Sequence, residues 1–202
     1  MNRTVKLLIF SDIFLMTGLG LISPILAIFI KDNLIGGSIV AAGIASMIFV
    51  AIKASLQLVF AKTFSPKDRV WMILLGTFLV ACVPFIYVFS KEVWHLYLAQ
   101  AIYGLGAAFA FPAWLSLFTT NLTKGREGLE WSVYSSCVGI GSALAAYTGA
   151  ILADTVGFQA VFAATGLMAA IGGLILLGLE KERVVKEKRF WPEGILKFIN
   201  RH

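Results

Sequence analysis

Six long apolar runs follow one another along the 202 residues, and short polar segments separate them. The runs cover about residues 7–30, 39–61, 70–89, 93–118, 131–153 and 157–179. Each run reaches the roughly 20 residues that an α-helix needs to cross a hydrocarbon core of about 30 Å. Because the connecting segments are short, consecutive helices are expected to run antiparallel. The pattern therefore predicts an all-α membrane protein with six transmembrane helices.

The composition supports this prediction. Hydrophobic residues make up 59% of the chain and charged residues 14%, against about 45–50% and 25% in soluble domains. The two cysteines, Cys82 and Cys137, both lie inside apolar runs, where a thiol behaves as a small hydrophobic group. They give no indication of a disulfide or a metal site.

Basic residues are distributed unevenly between the two sides of the predicted bundle. Fourteen of the seventeen lysines and arginines fall on the side that also holds both termini. The opposite side holds Lys31 and Lys91, and Lys53 lies inside the second run. Because Lys and Arg collect in cytoplasmic loops, we expect a multi-pass protein of the inner (plasma) membrane with both termini in the cytoplasm. The net charge of +6 thus has a topological origin, and no nucleic-acid partner is expected.

The end of the chain differs in composition from the rest. Residues 1–180 form the predicted transmembrane domain, and residues 181–202 form a basic cytoplasmic tail. In the tail, Trp191, Ile195 and Ile199 recur every fourth residue. This spacing is typical of an amphipathic helix that lies in the membrane interface. The alternative is a solvated and partly disordered end.

The fifth run follows a charged, glycine-broken loop and carries small residues at every fourth position. These residues are Gly141, Ala145, Gly149 and Ala153. A helix face without bulky side chains lets a neighbouring helix approach backbone to backbone. We therefore expect this face to be a helix-packing surface.

Ionisable side chains inside the runs are the first candidates for function, because each costs about 2.5–3.5 kcal/mol at a helix centre on insertion scales. Lys53 lies inside the second run with Gln57 one turn away on the same face, and Asp12 lies in the first run. Our hypothesis is that Asp12, Lys53 and Gln57 face one internal cavity. Asp12 and Lys53 are expected to pair there, with one or both changing protonation state as the protein works. The alternative is that Asp12 reaches the headgroups while Lys53 snorkels or bonds backbone carbonyls.

Two residues of the fourth run are further candidates for the same cavity. Gln100 offers an amide, and Trp114 lies close to Pro112, which can kink a helix and turn the indole toward a cavity. Each also has a structural interpretation. Glutamine hydrogen-bonds neighbouring helices in membranes, and tryptophan anchors helices at the membrane surface.

The sequence offers no arrangement of residues that is typical of an enzyme. Its histidines, His95 and His202, lie at the edge of the fourth run and in the tail, so the apolar runs hold no histidine base. A Walker-type phosphate loop is missing from the sequence. We therefore expect a protein that is not an enzyme and that uses no cofactor and no metal, with the lipid bilayer as its surroundings.

Glycine-rich segments recur at three places in the chain. Gly18 to Pro24 lies in the first run, Tyr103 to Gly106 in the fourth, and Gly141 to Phe162 covers the fifth run and its turn into the sixth. In this order they resemble the corresponding helices of major facilitator superfamily transporters. The resemblance covers the chain as one six-helix half of that twelve-helix fold. It implies alternating-access transport of a small-molecule or ion substrate, driven by a cation gradient.

Two positions depart from the patterns of that family. Ala145 and Ala146 stand where its antiporters have Gly-Pro, so the resemblance does not support antiport. In the loop between the second and third runs, Thr63 stands where the family has an aspartate, although basic Lys67 and Arg69 are retained. The acidic partner must then come from another residue of this side, either Asp68 or the Glu127 and Glu130 pair. We expect the cytoplasmic gate contacts to come from Lys67, Arg69, Arg126, Glu127 and Glu130.

Transporters of this family hold their substrate between two six-helix halves, and the sequence accounts for one such half. We expect a homodimer in which the small-residue faces meet and a true two-fold axis relates two copies. Pairing with another half is an alternative. A further alternative is a non-transporting membrane subunit that assembles with or regulates another membrane protein.

Overall fold

The computed structural model describes residues 1–64 and 69–199, and it describes the side chains of these residues as far as residue 179. Within these residues the chain forms seven α-helices. They are α1 (Arg3–Ile22), α2 (Leu26–Asn33), α3 (Ile39–Thr63), α4 (Arg69–Phe89), α5 (Val93–Thr120), α6 (Glu127–Thr155) and α7 (Phe158–Ile199). In the described part of the chain, every helix except α2 is long and apolar enough to cross a membrane. The predicted all-α architecture with six spans is thereby confirmed.

The first apolar run differs from the single helix that was expected over residues 7–30. It divides into α1 and α2 at a turn formed by Ser23, Pro24 and Ile25. Proline has no backbone N–H, and its ring clashes with the carbonyl four residues earlier, here that of Gly20. The chain therefore leaves the α1 direction at Pro24, and α2 continues as a short separate helix.

Helix α1 is the central packing element of the unit. It packs against α6 on one side and α7 on the other, while α4 packs against both α5 and α7. Two hydroxyl groups join α1 to α7, because Ser11 donates to the Gly172 carbonyl at 2.8 Å and Thr165 donates to the Gly18 carbonyl at 2.9 Å. These bonds fix the position of α1 along the axis of α7.

Helices α3 and α6 lie at the edges of the unit. The main neighbour of α3 is α5, and the main neighbour of α6 is α1. In the most apolar window of each edge helix only 11% of the residues are buried, against 50% for α1. Most of the surface of α3 and α6 is therefore free to meet lipid or another protein.

Because consecutive spans run antiparallel, the bundle has two ends. We call the end that holds residue 3, residue 63 and the loop before α6 the near end. The far end holds α2, the turn between α4 and α5, and the turn between α6 and α7. Positions along the spans are described below relative to these two ends.

Candidate functional site

A cleft lies between α1, α3, α4, α5 and α6, and it consists of two compartments. The near compartment has a volume of about 130 Å³ and the far compartment a volume of about 470 Å³. Polar or aromatic residues that line the near compartment include Asp12, Lys53, Thr77, Phe111, Trp114 and Tyr134. Those of the far compartment include Ser23, Ser46, Tyr87, Gln100 and Ser142. Charged side chains thus occur in the near compartment, whereas the far compartment is lined by neutral ones.

A pair of stacked rings marks the boundary between the two compartments. Phe49 of α3 and Tyr103 of α5 line both, with ring centroids 4.2 Å apart and planes inclined by 22°. Such an offset-stacked pair is worth about 0.5–1.5 kcal/mol beyond the area it buries. The boundary is therefore a specific contact between α3 and α5.

Asp12 is a buried carboxyl group near the middle of α1. Its side chain is only 7% exposed, and it accepts a hydrogen bond of 2.6 Å from the hydroxyl of Tyr134 on α6. A buried charged or polar group is tolerated when such a partner is present. Tyr134 therefore holds Asp12 in place and joins α1 to α6 at the same point.

Lys53 lies on α3 and is half-buried in the same compartment. Its Nζ atom lies 4.8 Å from the centroid of the Phe111 ring and 5.8 Å from that of Phe49. Both distances are within the range of a cation–π interaction. Within the described residues no carboxylate lies within 4.0 Å of this nitrogen. The ion pair that was expected between Asp12 and Lys53 is thus not formed in this conformation, although both residues line one cavity.

Trp114 also lines the near compartment, and its indole is held by ring contacts. It stacks on Phe118 with centroids 4.8 Å apart, and it lies 4.9 Å from the Tyr134 ring. Its Nε1 atom is buried and has no acceptor among the described residues. The backbone of α5 continues as a helix through Pro112. Ring contacts, rather than a hydrogen bond to a described residue, therefore hold the indole in place.

The two glutamines that were predicted for the cavity lie in different surroundings. Gln100 is buried on the wall of the far compartment and donates a hydrogen bond of 3.0 Å to the hydroxyl of Tyr87. Gln57 lines neither compartment, and its Oε1 atom is buried without a partner among the described residues. The near compartment thus brings together Asp12, Lys53 and Trp114, but it includes neither glutamine.

Among the predicted gate residues that the structure describes, Glu130 is the one that is buried. It accepts hydrogen bonds from the backbone N–H of Thr123 at 3.1 Å and from the Thr123 hydroxyl at 2.7 Å. One of its oxygens also lies 3.3 Å from the amino nitrogen of Met1. Glu130 therefore joins the loop before α6 to the start of that helix.

The other predicted gate residues lie around the near end. Arg126 and Glu127 are exposed at the start of α6, and Arg69 is half-buried at the start of α4. Lys67 lies outside the described residues. Thr63, which stands where the related family has an aspartate, donates to the carbonyl of Val59 in its own helix.

The small-residue face of α6 packs against α1 of the same chain. A Cβ atom added at Gly141 would lie 2.6 Å from the hydroxyl oxygen of Thr17, and one added at Gly149 would overlap the carbonyl of Leu21. Ala145 is buried between these two positions, while Ala153 is half-buried in the hydrophobic core near the far end. This face is occupied within the unit and is therefore not available to a second copy.

Tyr134 is the functional candidate that the sequence patterns did not identify. It lies on α6, 122 positions after its hydrogen-bond partner Asp12. No spacing rule connects residues so far apart. An aromatic hydroxyl near the start of a span was the only available signal, and such residues are common at membrane surfaces.

Comparisons with known proteins agree on one family. A sequence model of the Major Facilitator Superfamily matches residues 8–201. An uncharacterised MFS-type transporter of Methanocaldococcus jannaschii is 25% identical over 160 residues, which cover 79% of this chain and 41% of the relative. The multidrug resistance protein MdtG of Proteus mirabilis is 26% identical over 167 residues, which cover 80% of this chain and 40% of the relative. The chain therefore spans about two fifths of the length of these curated relatives.

A solved structure shows the same fold. The crystal structure of PepTSo, a transporter of the POT family, superimposes with a TM-score of 0.72 at 15% sequence identity. The match covers 90% of this chain and 38% of that chain. The six-helix unit thus has the arrangement of one part of a larger transporter.

Proposed function

Because the chain belongs to the major facilitator superfamily, we propose that it carries a small solute across the membrane by alternating access, driven by a cation gradient. The observation that carries this proposal is the near compartment, where Asp12 and Lys53 line one cavity within apolar helices. Ionisable residues that face the interior of a membrane bundle are costly, and they mark substrate and ion pathways. The solute-binding region is therefore assigned to this compartment.

The coupling ion is proposed to be a proton carried by Asp12. A single carboxyl group binds a proton without further oxygen ligands, whereas metal cations such as Ca²⁺ take six to eight. Asp12 and Lys53 are the two charged residues that line the near compartment. When Asp12 is protonated, Lys53 is left as the one charge among the described residues that line the compartment. Protonation would thus change the net charge that a solute meets.

Alternating access needs a second wall opposite the six-helix unit, and a second copy of the chain is proposed to supply it. The edge helices α3 and α6 line the cleft from two sides and have large unburied surfaces. Exposed apolar residues on these helices include Ile44, Met47 and Val50 of α3 and Ile140, Leu144 and Tyr147 of α6. In a two-fold dimer the same surface of both copies forms the interface. We propose that α3 and α6, rather than the small-residue face, meet the partner.

The near end of the bundle is proposed to face the cytoplasm of a cell with the protein in its inner membrane. The distribution of basic residues supports this orientation, because they collect in cytoplasmic loops. In that orientation the exposed Arg126 and Glu127 would reach the second copy when the cytoplasmic side closes.

The mass of the protein in a mild detergent tests the dimer. One chain has a mass of 21.9 kDa, and twice that value is expected once bound lipid and detergent have been subtracted. A monomer at every concentration would contradict the dimer. A stable complex with a different protein would favour a role as an accessory subunit.

A further inference from the structure

We propose that the near compartment binds a small organic anion, with its acidic group at Lys53 and an apolar body about the size of one ring. The inference rests on the proposed transport function, since it names the chemical class of the solute. It is argued from the charge, the hydrogen-bond donors and the volume of the compartment.

The accessible charge of the compartment is positive. Lys53 is half-buried and has two aromatic rings, but no described carboxylate, within contact distance. Asp12 is 7% exposed and already accepts the hydrogen bond of Tyr134. The remaining titratable group on the wall is the phenol of Tyr103, whose ring stacks on Phe49. A ligand that enters therefore meets a free ammonium group before it meets a free carboxylate.

The charged donor of the compartment contacts only aromatic rings among the described residues, whereas its carboxylate acceptor is already hydrogen-bonded. The ammonium group of Lys53 carries three donors and accepts none. A carboxylate brings two acceptor oxygens. An ammonium ligand would bring only donors, so the walls favour an anion.

The volume and the remaining walls define the body of the ligand. The near compartment measures about 130 Å³, and an apolar cavity of about 150 Å³ in another protein takes up benzene. Apart from the polar groups, its walls are aliphatic or aromatic and include Leu15, Val80, Phe111 and Leu176. A single ring or a short branched chain therefore fits beside Lys53.

Three compounds with one skeleton separate charge from shape. Benzoate, benzamide and benzamidine are an anion, a neutral compound and a cation at neutral pH. Their binding to the full chain in a non-ionic detergent is measured by titration calorimetry. Benzoate is expected to bind at least about tenfold more tightly than the other two, as one charge-assisted hydrogen bond allows. Equal or tighter binding of benzamidine would overturn the proposal.

Substitutions at Lys53 locate the binding site. Lys53→Met is expected to weaken benzoate binding about ten- to hundredfold, while Lys53→Arg keeps the charge and should retain most of the affinity. The matched control is Lys91→Met, because Lys91 is an exposed lysine between α4 and α5. Unchanged benzoate binding by Lys53→Met would overturn the proposal. Thermal melting shows whether each variant is folded, and the ligand series on the unchanged chain is decisive by itself if one is not.

Two further measurements separate the proposed binding of a small anion from lipid binding and from the transport proposal. Added phosphatidylglycerol tests whether the anionic group that binds belongs to a lipid headgroup. If this lipid displaces benzoate, the proposal that the ligand is a small solute is overturned. Uptake into liposomes tests transport separately. Benzoate binding at Lys53 without any uptake would support the site and contradict the transport proposal. Uptake of a cation in preference to an anion would support transport and overturn the present inference.

Discussion

The two compartments of the cleft differ in charge and in how their polar groups are satisfied. The far compartment is the larger one, and its polar groups include Gln100 bonded to Tyr87 and Ser142 bonded to the carbonyl of Met16. In the near compartment Asp12 is bonded to Tyr134, whereas Lys53 has no carboxylate within 4.0 Å among the described residues. Buried polar groups in proteins are normally paired. The comparison teaches that the paired polar groups of both walls stabilise the fold, whereas the ammonium group of Lys53 in the near wall is free to bind a ligand.

Asp12→Asn is the change with the largest expected effect on function. Asparagine keeps the shape of the side chain and an oxygen for the Tyr134 hydroxyl, but it carries no titrating proton. In liposomes with an inward proton gradient, accumulation of labelled benzenesulfonate should fall to the level of protein-free liposomes. This probe stays ionised, so it does not cross lipid unaided. Exchange of labelled for unlabelled probe needs no net proton movement and should persist.

The matched control for this prediction is Asp154→Asn. Asp154 is an exposed carboxylate near the far end of α6, and its replacement should leave accumulation unchanged. Normal accumulation by Asp12→Asn would show that the near compartment does not carry the coupling proton. The functional contrast between the compartments would then be lost.

Phe49→Ala is expected to have the largest effect on stability, because it removes the boundary between the compartments. Phe49 is half-buried and stacks on Tyr103. The loss should be about 2–3 kcal/mol, less than the roughly 3–5 kcal/mol for a fully buried phenylalanine, because Phe49 is only half-buried. Thermal melting in detergent measures it. Phe78→Ala removes the same side chain at a position that is 65% exposed, and it should cost less than about 0.5 kcal/mol.

Gln100→Leu is expected to have the smallest effect of the three. It leaves the buried Tyr87 hydroxyl without its partner, which costs about 1 kcal/mol. Adding Tyr87→Phe removes the unpaired group and should restore most of the stability. Uptake of benzenesulfonate should remain close to normal in both variants. A strong loss of uptake would assign a binding role to the far compartment as well.

The sequence predicted the spans and the shared cavity of Asp12 and Lys53 because both follow from one-dimensional patterns. Apolar runs determine span length, and the rise of a helix places Asp12 about 7.5 Å and Lys53 about 12 Å inside their spans, measured from the same side. The partners of these residues were not predictable in the same way. Tyr134 is 122 positions from Asp12. The contact of Lys53 with the Phe111 ring depends on how α3 packs against α5.

The expectation for the small-residue face of α6 shows a related limit. Its four-residue spacing correctly indicates a surface that another helix approaches closely, but spacing does not identify the neighbour. The structure places α1 there, with Thr17 and Leu21 in contact. The break of the first run at Pro24 was likewise present in the sequence, as a proline within an apolar stretch. Run length alone did not reveal it.

The hydrogen bond between Tyr134 and Asp12 joins the central helix α1 to the edge helix α6. Its strength limits how far protonation of Asp12 can shift the equilibrium between two conformations. While Asp12 is ionised the bond is charge-assisted, and such bonds are roughly twice as strong as neutral ones. A proton on Asp12 would therefore release about 1 kcal/mol of attachment between α1 and α6. That amount biases two conformations about fivefold. In the protonated protein, α1 and α6 would be held together slightly less tightly. Solute binding would have to supply the remaining free energy for the conformational change.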